Sequence, residues 1–176
     1  MISTATANAS YAGDTNHTGS TATQVTFAIT AANTTTTIAN AASLSSTPTV
    51  VGQSYTVNWS VSVKSPGSGT STGTVTVTGG SGCSAPVADG GCTVTSTTAG
   101  AKTLVATYTS DTANFNGSTS AGASHTVNAA STTTMITSDN PDPSVSGGTV
   151  TVTYTVTVNA PGAGTATGTV TVTDAD

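Results

Sequence analysis

The residues able to do chemistry are few and scattered. Cys83 and Cys92 share one Gly-rich segment, His17 and His125 lie far apart, all seven acidic residues are Asp, and both basic residues, Lys64 and Lys102, are Lys. Two nearby cysteines are either a disulfide or half of a metal site. The metal reading lacks partners, since there is no third Cys and the histidines fall in different segments. Asp14 with Asn16, and Asp111 with Asn114, offer oxygens to a hard cation, but a Ca²⁺ site takes about six or more. An Asx turn closing a hairpin accounts for each pair more simply. Asp139 and Asp142, flanking Asn140-Pro141, read as another turn, and Asp174 and Asp176 as a frayed end. No metal and no cofactor is expected.

Catalytic readings fail on geometry. Ser, Asp and His would supply a triad, yet no segment reads as a nucleophile elbow. Glycoside hydrolysis needs two carboxylates on adjoining strands, whereas the Asp residues fall one to a turn. His125 occupies an inward-facing strand position where an earlier segment has Phe27, which suits a hydrogen-bonded core imidazole. An isopeptide from Lys64 or Lys102 would lack a Glu to assist it. The expectation is no catalytic residue and no enzyme.

The composition says what must position these residues. Of 176 residues, 35% are hydrophobic and 5% charged, against about 25% charged in an ordinary domain. Two Lys make no basic face, so nucleic acid is not an expected partner. No apolar run approaches the roughly 20 residues of a membrane span, and Met1 is followed by polar residues rather than a signal segment. Thr makes up about a quarter of the chain, followed by Ala, Ser, Gly and Val; Thr and Val are both stiff at χ1 and suited to a pleated, half-buried surface. The chain reads as all-β.

Internal repetition sets the organisation. Ser65-Pro66-Gly67-Ser68-Gly69-Thr70-Ser71-Thr72-Gly73-Thr74-Val75-Thr76-Val77-Thr78 recurs at Ala160–Thr173, an offset of 168 − 73 = 95. Tyr11 recurs as Tyr108, at 108 − 11 = 97, and Asn33 aligns with Ser131, at 131 − 33 = 98. Tyr55, Val57, Trp59, Val61 and Val63 alternate with polar residues, as do Val150, Val152, Tyr154, Val156 and Val158, which predicts two long half-buried strands. Shorter strands are predicted at 74–78, 92–95, 103–108 and 124–128. Trp59, Leu104 and Tyr108 are the candidate core. Residues 31–128 then form one complete unit, 1–30 the closing strands of another, and 129–176 the opening strands of a third. Neither end piece closes a core alone.

Thr34-Thr35-Thr36-Thr37-Ile38, Val51-Gly52-Gln53, Thr72-Gly73-Thr74-Val75-Thr76-Val77 and Tyr108-Thr109-Ser110-Asp111 with Asn114-Phe115 together resemble the bacterial immunoglobulin-like tandem repeats of large surface and secreted proteins. The resemblance spans essentially the whole chain. It implies an antiparallel immunoglobulin-like β-sandwich serving as a spacer, stalk or adhesive module, at the cell surface or outside the cell. In that compartment Cys83 and Cys92 are expected as a structural disulfide closing a small hairpin loop.

The function implied is structural: a stalk, or the subunit of an extracellular filament. The expected partners are copies of the chain or neighbouring immunoglobulin-like units. In head-to-tail assembly by strand complementation, Val150, Val152, Tyr154, Val156 and Val158 would supply a strand to Ala7, Ala9, Tyr11, Phe27 and Ile29 of the next chain. The competing reading is an adhesin that binds a surface glycan or protein through its loops. It predicts an exposed aromatic platform.

Overall fold

The computed structural model describes residues 2–173, so Asp174 and Asp176 lie outside the described residues. The described residues form strands of 2 to 11 residues, with one six-residue helix and one 3-10 turn. In order these are β1 (Ser3–Ala7), β2 (Ser10–Gly13), β3 (Thr18–Thr21), β4 (Val25–Ile29), β5 (Thr34–Ile38), α1 (Ala41–Ser46), β6 (Thr49–Val50) and β7 (Ser54–Val63). There follow β8 (Gly73–Thr78), β9 (Cys83–Pro86), a 3-10 turn (Val87–Asp89), β10 (Gly91–Thr95), β11 (Gly100–Ser110), β12 (Ser118–Thr119), β13 (Ala123–Asn128), β14 (Thr132–Asn140) and β15 (Thr151–Val158). The predicted strands at 55–63, 74–78, 92–95, 103–108 and 124–128 all form. The alternation did not reveal β6 or β9, which at two and four residues are too short for a period to be read.

Residues 34–128 make two sheets around one core. One sheet has the order β10-β7-β5; the other runs β6-β13-β11-β8-β9, with β12 also on β11. All pairings are antiparallel except β6 with β13. Alternation in β7 buries Tyr55, Val57 and Trp59, while β8 and β11 bury Val75, Val77, Leu104 and Tyr108 in the same cluster. β7 and β8 thus keep their Thr and Ser hydroxyls in water and turn their apolar face inward, as a sheet covered on one side requires, whereas β5 turns Thr34 and Thr36 inward with Ile38.

Two local features set this topology. Residues 39–46 contain no β-branched residue and no Gly or Pro, so Ala41–Ser46 can wind into α1, and Pro48 prevents its continuation. That turn carries the chain from one sheet to the other and sends Leu44 into the core. Its Leu44 carbonyl, left without a partner in so short a helix, accepts from His125 Nδ1 at 2.9 Å, while His125 Nε2 meets Thr49 Oγ1 at 2.9 Å. Nδ1 must carry the proton, because a carbonyl only accepts. His125 is 2% exposed and its ring lies 4.0 Å from that of Tyr55, so it is a hydrogen-bonded core imidazole. The second feature is Gly73 at the start of β8, with φ +126°, where a Cβ would run into the Thr109 carbonyl.

The end segments are hairpins. β1 pairs with β4, β2 with β3, and β14 with β15, with a bulge between Ile136 and Ser138. Asp139 lies inside β14 opposite Val152, so the turn expected there holds only Asp142. Among the described residues, no helix is long and apolar enough to cross a membrane.

Candidate assembly surfaces

Pairing registers in the hairpins match those of the central unit. Ala5 faces Phe27 as Lys102 faces His125, and Tyr11 faces Ser20 as Tyr108 faces Ser118. At the other end, Ile136 faces Tyr154 as Ile38 faces Trp59, and Thr132 faces Val158 as Thr34 faces Val63. Of the central counterparts, Tyr108, His125, Ile38, Trp59 and Thr34 are buried between two sheets. The hairpins have no second sheet, so the same side chains stand in water: Tyr11 48%, Phe27 52%, Ile29 43%, Tyr154 46% exposed.

The expected assembly residues fall into two groups. Ala7, Phe27 and Ile29 share a face of the β1–β4 pair, since Ala7 stands directly opposite Val25 and residues 25, 27 and 29 alternate onto one side. Ala9 lies in the break between β1 and β2, where its carbonyl accepts from Ala22 N–H at 2.8 Å, and Tyr11 lies on β2. Val152, Tyr154, Val156 and Val158 share one face of β15, with Val150 just before it; Val152 and Val158 are only half-buried. Two contributors escaped the sequence reading: Val25, 62% exposed, and Ile136, 60% exposed. Alignment of Thr132–Ile136 on Thr34–Ile38 was the signal for the second.

A third apolar edge follows β15. Gly168 has φ +130°, close to the +126° of Gly73, yet residues 169–173 form no strand where the matching residues form β8. β8 is held by β11 on one side and β9 on the other. Residues 169–173 have neither. Val172 is exposed accordingly.

Where the C-terminal hairpin leaves the central unit, the two touch. Ala163 N–H donates to the Val51 carbonyl at 3.1 Å, and the Cβ that Gly52 lacks would collide with Ala163. A groove of about 610 Å³ beside this contact is lined by Thr, Ala, Gly and Val, with no charged side chain.

Cys83 and Cys92 are disulfide-bonded, but they do not close a hairpin as expected. Cys83 lies on β9 and Cys92 on β10, the edges of opposite sheets, so the bond laces the two layers together. The 3-10 turn between them carries the chain across.

The two Asp loops differ. Asp14 Oδ1 accepts from the Asn16 and His17 amides at 2.8 and 2.9 Å, an Asx turn, and its carboxylate also takes the Tyr11 hydroxyl at 2.7 Å and His17 Nδ1. The Tyr11 bond, followed by the Asn16 amide, holds Asp14 down at about 2 and raises the Tyr11 phenol. Asp111 closes no Asx turn: it accepts from Thr72 Oγ1 at 2.6 Å, and the turn is made by Ser110 Oγ accepting from Thr112 N–H. Among the described residues, no three His, Cys or Asp side chains converge as a metal site would need.

Comparison of the chain with protein-family models, with curated proteins and with solved structures finds no match.

Proposed function

We propose that the chain is a non-enzymatic structural module of a cell-surface or extracellular protein, built of tandem immunoglobulin-like β-sandwiches and acting as a stalk or filament subunit. One observation carries this reading: the end hairpins keep the central unit's pairing registers while exposing the side chains that unit buries. Such hairpins need further strands over them, which is the condition of units strung in an array.

The strand order supports the immunoglobulin-like assignment. β5 pairs in one sheet, and after α1 the chain enters the other as β6, parallel to the last strand. β7 and β10 lie with β5, while β8, β11 and β13 form the opposite layer, the division of strands that a Greek-key sandwich of this size shows. The inter-sheet disulfide supports an oxidising compartment. For the adhesin reading, the exposed aromatics Tyr11, Phe27 and Tyr154 align with Tyr108, His125 and Trp59 of the central core, so they serve packing better than a glycan platform.

Pulling the oxidised chain by its ends in a single-molecule instrument tests the load-bearing role. The expected record is one cooperative rupture for the central unit, with a longer release of chain once the disulfide is reduced. Smooth extension without a rupture would overturn it.

A further inference from the structure

We infer that the partner covering both exposed faces is a second copy of this chain, whose residues 132–173 join residues 3–29 in a unit built like the central one but without counterparts of β9, β10 and their disulfide. The inference rests on the structural reading above and names the partner in it. The central unit is the template, and four of its contacts transfer to the two ends.

The first contact is face to face. β7 lies in the sheet opposite β11 and β13, and Trp59, Leu104 and Tyr108 meet in one core. In the central unit the Tyr55 ring of β7 lies 4.0 Å from the His125 ring, so at the same offsets Val150 of one copy lies over Phe27 of the next. Tyr154, Val156 and Ile136, the counterparts of Trp59, Val61 and Ile38, share a core with Val25 and Tyr11, the counterparts of Ala123 and Tyr108. β15 therefore packs across the core and does not add at an edge.

The edge contact falls to residues 168–173. In the central unit Val75 pairs with Tyr108 and Val77 with Ala106. Transferred, Val170 stands opposite Tyr11 and Val172 opposite Ala9, an added strand whose main-chain hydrogen bonds supply the pairing now missing. Ala106 turns its N–H and C=O toward Ser120, at 3.0 and 2.9 Å. The Ala106–Val77 pair is thus the non-hydrogen-bonded kind, whose side chains approach most closely.

The third contact is polar and specific. Thr34 and Thr36 share Ser118 across the sheets, with hydroxyl distances of 2.8 and 2.7 Å. Their counterparts at one end are Thr132 and Thr134, and the counterpart of Ser118 at the other is Ser20; all three are exposed. The fourth is the junction. Val51-Gly52 rests on Ala163 of the following hairpin, and the matching residues are Ser146-Gly147 and Ser68. Gly147 has φ +78° beside +83° for Gly52, and nothing lies within 4 Å of its missing Cβ. A partner of unrelated sequence would satisfy the apolar face alone. A second copy satisfies all four, and the named contact residues carry no charge to oppose it. The contact is heterologous, so it propagates into a fibre or closes into a ring.

The test uses the oxidised full chain and two single-face variants, Phe27→Asp and Tyr154→Asp. Both sites are half exposed, so each variant keeps its central unit, checked by Trp59 emission. Light scattering and negative-stain microscopy should show oligomers or fibres for the natural chain and monomers for each variant alone. Mixed one to one, the variants should form a dimer of twice the chain mass, because each retains the face the other lost. With Ala9→Cys added to the Tyr154→Asp chain and Val172→Cys to the Phe27→Asp chain, that dimer should become cross-linked. A monomeric natural chain, either variant dimerising alone, or a mixed dimer without the cross-link would overturn the inference. The pulling record of the central unit is independent of every one of these outcomes.

Discussion

Reducing the Cys83–Cys92 bond should cost the central unit about 2.6 kcal/mol. The loop spans a sequence separation of 9, and the loop-closure entropy removed from the unfolded chain for that length is roughly 9 cal/mol/K. The unfolding entropy of a unit this size, near 0.2 kcal/mol/K, turns that cost into a fall in Tm of about 13 °C. Urea unfolding reads the same quantity as a midpoint lower by about 1–2.5 M. Trp59 is the chain's single Trp and is 5% exposed in the core, so its emission reports this unit and neither hairpin. Reduction of the natural chain is the cleanest perturbation, because every atom but two hydrogens stays the same. The m-value should rise slightly on reduction, as the released loop lets the unfolded state expand. Mass spectrometry must first show both thiols free. A midpoint unmoved under that condition would refute the reasoning, since it would mean that neither the unfolded chain nor the lacing of the two sheets depends on the bond.

Other perturbations test separate parts of the structure. His125→Phe keeps a ring in the core but strands the Leu44 carbonyl and the Thr49 hydroxyl, so thermal unfolding should show a loss of about 2–4 kcal/mol; a loss under about 1 kcal/mol would mean that water reaches both groups. Gly73→Ala forces a side chain into φ +126° and against the Thr109 carbonyl, and should cost at least about 1–3 kcal/mol in the same assay. The Asp14 clasp gives a pH signature. Its folded-state pKa is depressed from 3.8 to about 2, chiefly by the Tyr11 hydroxyl, so its contribution is present above pH 3.8 and lost as pH falls through about 2. The Asn16 and His17 amide resonances should titrate with a midpoint near 2; a midpoint near 3.8 would show that the clasp does not form in solution.

Much of the architecture was legible because a Thr/Val chain alternates so plainly. The burial pattern of β7 is the period-two rhythm of Tyr55-Thr56-Val57-Asn58-Trp59 read directly, and Tyr108, Leu104 and Trp59 reach the core from the faces their positions predict. What stayed hidden lacks periodicity. α1 is only a short gap in the β-branched residues, and β9 contains Ser84-Ala85-Pro86, which no alternation marks. The disulfide shows the limit most clearly. Its two residues were evident, but a hairpin closure and a bond between sheets have the same sequence separation, and only the 3-10 turn at Val87–Asp89 decides between them. The end faces show the same division. Alternation names Tyr154 and Phe27 as inward-facing, yet only the strand pairings show that β7, which β15 matches, lies in the layer opposite β11, while residues 169–173, which match β8, are unpaired. Sequence periodicity records which way a side chain points; it does not record which strand lies beside it. For this chain that second fact decides whether two copies meet by packing or by pairing, and the central unit, which does both at once, indicates that each end needs the two together.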